Sequence, residues 1–174
     1  PEIEISIVQG NSTELIAALM EHKLDFVIAS KRNGDFNLIH LQQVQMCACV
    51  ASSHPLATSQ VYPLKRFETD KMIAPYSDSE TDYAIALKEN KINPNIVHVT
   101  SDVYSAYSMV EAGLGVAFLN RLEPECWDGD VVLLPTDPIV NVDIEIMYLE
   151  NEIGPSANKF LDMVCNNMDC SMME

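Results

Sequence analysis

The sequence predicts an α/β protein of two lobes, with the chain passing from the first lobe to the second and back. Three observations predict it. Short apolar runs of strand type alternate with capped amphipathic runs of helix type. That alternation occurs in two separate blocks, with irregular strand-like runs between them. A last strand-like run and a closing helix then return after the second block. Two crossings between lobes are what a hinged cleft requires.

Ile3-Glu4-Ile5-Ser6-Ile7-Val8 alternates with period two and reads as a strand. In Glu14–Met20 the residues Leu15, Ile16, Leu19 and Met20 form one helical stripe, which Asn11 or Ser12 can cap; Asn11 and Glu14 have capping-box spacing. His22-Lys23 suit the negative end of that helix. Leu24–Ala29 is a second strand, apolar enough for burial on both faces. Strand, helix and strand within about thirty residues imply a βαβ unit, with parallel pairing and a right-handed crossover.

Leu38–Leu41 and Val44–Val50 follow as two short strand-like runs, and Pro63–Phe67 as a short helix with proline in its first turn. Met72–Pro75 is a strand. Ser77 to Thr81 opens a helix running through Leu87, with Ser77 and Glu80 again at capping-box spacing. Asn95–Val99 is a strand, Thr100-Ser101-Asp102 caps a helix bearing Val103, Tyr107 and Val110, and Gly113 stops it. Val116–Leu119, Val131–Leu134 and Ile144–Leu149 read as strands, and 155–164 as a terminal helix that frays after Cys165.

The chain of 174 residues carries ten basic and twenty-six acidic side chains, a net charge of −16. Such a surface repels phosphate backbones and offers an anionic membrane no basic face, so this chain is not itself expected to hold DNA or a membrane. No apolar run approaches the length of a spanning helix. The five cysteines, Cys47, Cys49, Cys126, Cys165 and Cys170, are an odd count without paired zinc spacing. That pattern favours buried, inert thiols in a reducing cytoplasm over a disulfide framework, a redox pair or a metal site.

Three turns share one design of strand end, small polar residues and helix start: Gly10–Thr13, Tyr76–Ser79 and Thr100–Asp102. In open α/β sheets ligands collect at the carboxyl ends of strands, and free N–H groups at a helix start suit carboxylates and phosphates. Lys31-Arg32, directly after the second strand, could add positive charge. The competing reading of each turn is a helix cap and nothing more. Motifs for a nucleophile elbow, a zinc helix, a dinucleotide fold and a P-loop are absent, and Gly113-Leu114-Gly115 follows a helix instead of opening one. No catalytic residue, metal ligand or cofactor is therefore expected, and His22, His40, His54 and His98 read as surface or capping groups.

Several segments together resemble a family. Pro1–Ile7 leading to Gly10-Asn11-Ser12, then Leu24-Asp25-Phe26-Val27-Ile28, is similar to the opening of the effector-binding domain of LysR-type transcriptional regulators. His54-Pro55-Leu56-Ala57 resembles that family's His-Pro-Leu turn, and Val110–Leu119 resembles its V-x-A-G-L-G segment, with Asn120 where proline is usual. The likeness covers essentially the whole chain in the right order. It implies a type 2 periplasmic-binding-protein-like fold, two Rossmann-like lobes joined by two crossover strands. The expected division is 1–75 with 145–174 as lobe I and 76–144 as lobe II.

The resemblance also implies a small effector between the lobes, homodimerisation (tetramers for a full-length member), and DNA contact only through a winged helix-turn-helix outside these residues. Family effector contacts map onto Asn11, Ser12, Thr13, Ser30, Lys31, Tyr76, Ser77, Thr100, Ser101 and Phe118. The helix starts and Lys31-Arg32 make an anionic effector the expectation. The family's peroxide-sensing branch keeps a cysteine in the second lobe near the hinge; here the stretch after Pro75 has no cysteine, which argues against thiol sensing, and Cys126 is the only thiol in 76–144. An extracytoplasmic solute-binding protein of the same fold is the alternative, and an enzyme on that fold a more distant one.

Overall fold

The computed structural model describes residues 4–78, 80–122, 124–149 and 153–171, with backbone alone for 168–171. In chain order the elements are α1 (Ser12–Met20), β1 (Val27–Ser30), β2 (Asn37–Ala51), β3 (Tyr62–Pro63), a 3-10 helix (Leu64–Glu68), β4 (Met72–Pro75), α2 (Asp82–Glu89), β5 (Ile96–Thr100), α3 (Val103–Glu111), β6 (Ala117–Asn120), a second 3-10 turn (Pro124–Cys126), β7 (Val131–Asp137), β8 (Asn141–Tyr148) and α4 (Pro155–Ser171). They form two compact units, Pro1–Gln42 with Asp143–Glu174, and Gln43–Val142. The chain passes between the units within β2 and again within β8.

In the first unit β1 pairs antiparallel with β8, Val27 opposite Met147 and Ser30 opposite Ile144. The stripe of α1 covers this ladder. Leu19, Val27 and Met147 are fully buried together, flanked by Leu15, Ile16, Leu24 and Phe36. The Phe26 ring stacks on Phe160 of α4 at 5.0 Å. The expected strand at 3–8 does not form: residues 4–8 take no regular structure, with Ile5 and Ile7 67% and 83% exposed, and Ile3 lies outside the described residues. Alternation prepares a segment for a sheet face, but a strand exists only where another strand supplies its hydrogen bonds. The expected parallel βαβ unit is therefore replaced by α1 laid on an antiparallel pair.

The second unit is built around the inner half of β2. Residues 46–49 pair antiparallel with β6 and 47–51 with β7, while Tyr62 of β3 lies parallel to Thr136 of β7. Parallel β4 and β5 form the other ladder, joined by α2. Val116 extends it beside β4, accepting from Ile73 N at 2.8 Å. Two glycines are needed here: Gly113 ends α3 at φ 75°, and a Cβ at Gly115 would sit 2.5 Å from the Lys71 carbonyl oxygen. The core gathers Phe67, Phe118, Tyr62, Leu64, Met72 and Leu87. Phe67 touches both Tyr62 and Phe118, centroids 4.9 and 5.1 Å away.

Four further expectations are corrected. The runs 38–41 and 44–50 are one fifteen-residue strand, because Gln42, Gln43 and Gln45 interrupt its apolar pattern without breaking its ladder. α2 starts at Asp82 behind Thr81, and the Ser77–Glu80 capping box is absent; Asp78 Oδ1 instead accepts from Glu80 N at 2.9 Å. α4 continues to Ser171, six residues past Cys165, with Asn167 Nδ2 donating to the Met163 carbonyl at 2.8 Å. Of the thiols, Cys47 and Cys49 are buried as expected, whereas Cys126 is exposed and Cys165 half-buried; the Cys170 side chain lies outside the described residues. The compact units also differ from the expected lobes, since 43–75 cluster with 76–142. The single core that holds Val50, Tyr62 and Phe67 together with Phe118 accounts for that.

Candidate functional site

In the first unit the α1 turn forms the capping box that its spacing predicts. Asn11 Oδ1 accepts from Glu14 N at 2.9 Å, and Glu14 Oε2 accepts from Asn11 N at 3.2 Å. The Asn11 carboxamide oxygen is thereby committed to the helix. Ser12 and Thr13 occupy the first two helical positions, half-buried and exposed, and their hydroxyls bond no described residue. Ser30 ends β1 with 6% exposure. Next to it the Lys31 amide donates to the Asp143 carbonyl at 2.8 Å, while the Lys31 ammonium pairs with no described residue. Arg32 folds back, its Nη1 donating to the Ser30 and Lys31 carbonyls at 3.2 and 3.1 Å.

In the second unit the structure brings two of the three predicted turns together. β4 and β5 run parallel with Pro75 opposite Thr100, so both strands deliver their next residues to one sheet edge. The Tyr76 amide donates to the Thr100 carbonyl at 2.8 Å and fastens the turns. Tyr76 stands at φ 67°, a left-handed conformation that a bulky residue adopts only under constraint. The constraint is visible. Buried Tyr83 of α2 donates its hydroxyl to the Tyr76 carbonyl at 3.0 Å, closing the loop from the other side. Ser77, beyond it, is exposed.

Asp102 caps α3. Its Oδ1 accepts from Ser105 N and its Oδ2 from Ser105 Oγ, both at 2.7 Å, and the Ser105 amide and hydroxyl hold the carboxyl below its ordinary value. Ser101 Oγ donates to Asp102 Oδ2 at 3.2 Å, and Thr100 Oγ1 donates to the Asp102 carbonyl at 2.8 Å. Glu14 and Asp102 thus already neutralise much of the positive end of their helices. What these turns still offer a ligand is hydroxyls and exposed backbone N–H groups, and the Lys31 side chain is a full positive charge elsewhere in the first unit.

Phe118 does not belong with them. It is fully buried in β6 against Phe67 and opposite Ala48, a core ring that no ligand reaches without unpacking the unit. Sequence reading missed two groups. Tyr83 as anchor of Tyr76 leaves no short-range pattern. The cluster around Asp70 does, because Arg66 and Asp70 stand at i,i+4 spacing. Asp70 accepts from Arg66 Nε and Nη2 at 2.9 Å each and from the Tyr62 hydroxyl at 2.7 Å. Burial raises the Asp70 carboxyl, but the Arg66 and Tyr62 hydrogen bonds and the Arg66 charge outweigh it, and the net is a lowering.

Burial pushes the Cys49 thiol up to about 12 and raises Cys47 as well, so both are protonated near neutrality and poor nucleophiles. Among the described residues no group of three or more His, Cys, Asp or Glu side chains could hold a metal ion. No described helix is long and apolar enough to cross a membrane.

A family model described as the LysR substrate binding domain matches residues 1–169. A malonate utilization transcriptional regulator of Klebsiella pneumoniae is 26% identical over 77% of this chain and 46% of its own length. The transcriptional regulator CbbR of Sinorhizobium medicae is 23% identical over 96% of the chain and 56% of its own. The chain spans about half the length of these curated relatives. Among solved structures, the effector binding domain of QuiR in complex with shikimate superposes with a TM-score of 0.79 at 22% identity, covering 90% of this chain and 78% of that one. The regulatory domain of Synechocystis CcmR in complex with 2-PG gives 0.76 at 16%, covering 88% and 77%. The fold is that of these effector-binding domains.

Proposed function

This chain belongs to the LysR substrate binding domain family, of periplasmic-binding-protein-like fold, and from that premise we propose that it senses a small anionic metabolite through the polar turns of each unit. The observation that carries the reading is the β4–β5 edge, where Tyr76-Ser77 and Thr100-Ser101 are fastened side by side by backbone and Tyr83 bonds. A rigid turn that presents hydroxyls and amides has little ordering entropy left to lose on binding. Ser12, Thr13, the Asn11 turn, Ser30 and the Lys31 ammonium are the matching polar groups of the first unit. Phe118 is not included.

Hydroxyl-rich turns with one flexible cation match a hydroxylated carboxylate better than a bare polyanion, since Glu14 and Asp102 repel excess negative charge at both helix starts. Shikimate, held by the QuiR domain, is of that chemical type. The relatives are transcriptional regulators, which favours sensing over the solute-binding alternative and over turnover of the ligand. Binding then shifts the population of states in a cytoplasmic homodimer, and the change passes to a DNA-binding domain outside these residues. A coupling of about 1–3 kcal/mol suffices for such a switch.

A thermal-shift screen of hydroxylated carboxylates, amino acids and sugar phosphates tests the reading. A ligand present at 100 times its dissociation constant stabilises the folded state by about 2.7 kcal/mol. In a chain of this size that raises Tm by about 5–10 °C. The account expects a hit among the hydroxylated carboxylates; stabilisation confined to cationic compounds contradicts it. Light scattering reads the homodimer directly, and a monomer at all concentrations refutes that part.

A further inference from the structure

A depression of about 490 Å³ opens on the second unit between α2, the turn after it and the start of β5. That volume is of the order of small-molecule sites. Tyr83, Ala84, Leu87, Ile92 and Ile96 supply its apolar surface, and Lys88 and Lys91 also line it. Tyr83 and Leu87 are core residues, so this surface is rigid. The two lysines are held together. Lys91 turns back at φ 58° and its amide donates to the Lys88 carbonyl at 3.0 Å, setting both stems at the C-terminal end of α2.

Neither ammonium makes an ion pair or side-chain hydrogen bond to a described residue. In a chain with twenty-six carboxylates against ten basic groups, two neighbouring cations without a carboxylate partner are a local exception to the overall charge. Asp78 also lines the depression, and its charge helps raise the buried Tyr83 hydroxyl after burial itself and despite an opposing hydrogen bond with Thr81.

The geometry points to a second ligand site, bordering the Tyr76-Ser77 turn but lined by none of Asn11, Ser30, Thr100 or Ser101, that takes a small amphipathic monocarboxylate. The ligand's apolar chain lies on Leu87, Ile92 and Ile96, and its carboxylate lies between Lys88 and Lys91. Asp78 in the lining disfavours a second negative charge on the ligand, which distinguishes this site from one for dicarboxylates. Ser77 borders the depression and also follows Tyr76, so an occupant here lies directly behind the turn that Tyr83 anchors.

Amide-resolved NMR titration of this chain with hexanoate, hexan-1-ol, acetate and adipate is the test. Hexanoate is expected to give saturable shifts at Leu87, Lys88, Lys91 and Ile92. Acetate lacks the apolar body, hexan-1-ol the charge, and adipate carries one charge too many, so each binds more weakly. The exposed pair Lys88→Gln with Lys91→Gln lowers hexanoate affinity about fivefold, in line with two solvent-facing charge contacts, while leaving the spectrum otherwise native. Ala84→Phe, which fills the depression, abolishes the shifts. Hexanoate shifts confined to other residues, equal affinity in the double variant, or adipate binding as well as hexanoate overturns the assignment.

Discussion

Replacing Asp70 by alanine removes more from this domain than one surface carboxylate. Tyr62 is fully buried, and its hydroxyl finds its bond at Asp70, 2.7 Å away. Without the carboxylate that donor stays buried and unsatisfied, a cost of about 1–3 kcal/mol. The fork from Arg66 is lost too, but its side chain is 42% exposed, so solvent screening limits that contribution to about 0.2–1 kcal/mol. The expected loss is therefore about 1–4 kcal/mol. Urea unfolding followed by the fluorescence of Trp127, the chain's single tryptophan, reads it within the second unit. Tyr62→Phe in the Asp70→Ala background removes the orphaned hydroxyl and should restore about 1 kcal/mol or more, a coupling that only direct contact gives. A loss under about 0.5 kcal/mol for Asp70→Ala, or strict additivity of the two variants, refutes the reasoning.

The same cluster sets an acid limit. The folded Asp70 carboxyl lies below its ordinary 3.8, so its contribution is complete above that pH and disappears as pH falls through the lower folded value. His54 is lowered chiefly by burial, against the raising pull of Asp70, and so loses stability in the same direction as pH falls below 6.5. Urea midpoints between pH 7 and pH 3 should fall accordingly, and Asp70→Asn should flatten the carboxylate part. Asn11→Ala breaks the α1 capping box and should cost about 1 kcal/mol, read as faster hydrogen exchange across 12–20. Phe118→Ala should cost about 3–5 kcal/mol as a core truncation, and unfolding measurements that find it neutral would return the ring to the candidate ligand contacts.

The segment from Met72 to Leu119 was legible because each strand there is a short apolar run closed by its own capping residues or by Gly113. Its alternation of strand and helix and the Asp102 cap of α3 follow from local rules, whereas the expected Ser77–Glu80 cap does not form and α2 starts only at Asp82. Where a partner decides the outcome, local rules failed. Ile5 and Ile7 alternate like a strand, but no strand of the described residues offers them a ladder. β2 hides its continuity because glutamines occupy its middle. The turns at Asn11, Ser77 and Ser101 could be picked out from residue type, whereas which hydroxyls remain available could not. The Asn11 carboxamide is taken by Glu14, and Ser101 leans on Asp102, pairings set by rotamers and not by composition. Phe118 was assigned to the ligand by resemblance alone; its apolar neighbours Ala117 and Leu119 in β6 fit the core position it occupies.

Titration calorimetry with the metabolite that stabilises the domain most, comparing wild type with Ser12→Ala and Ser101→Ala, tests the sensing claim most directly. Each substitution should lower affinity by about 1 kcal/mol, about fivefold, with the unfolding midpoint unchanged. Affinity unchanged in both variants would show that the effector touches neither turn, and the account of the site would fall.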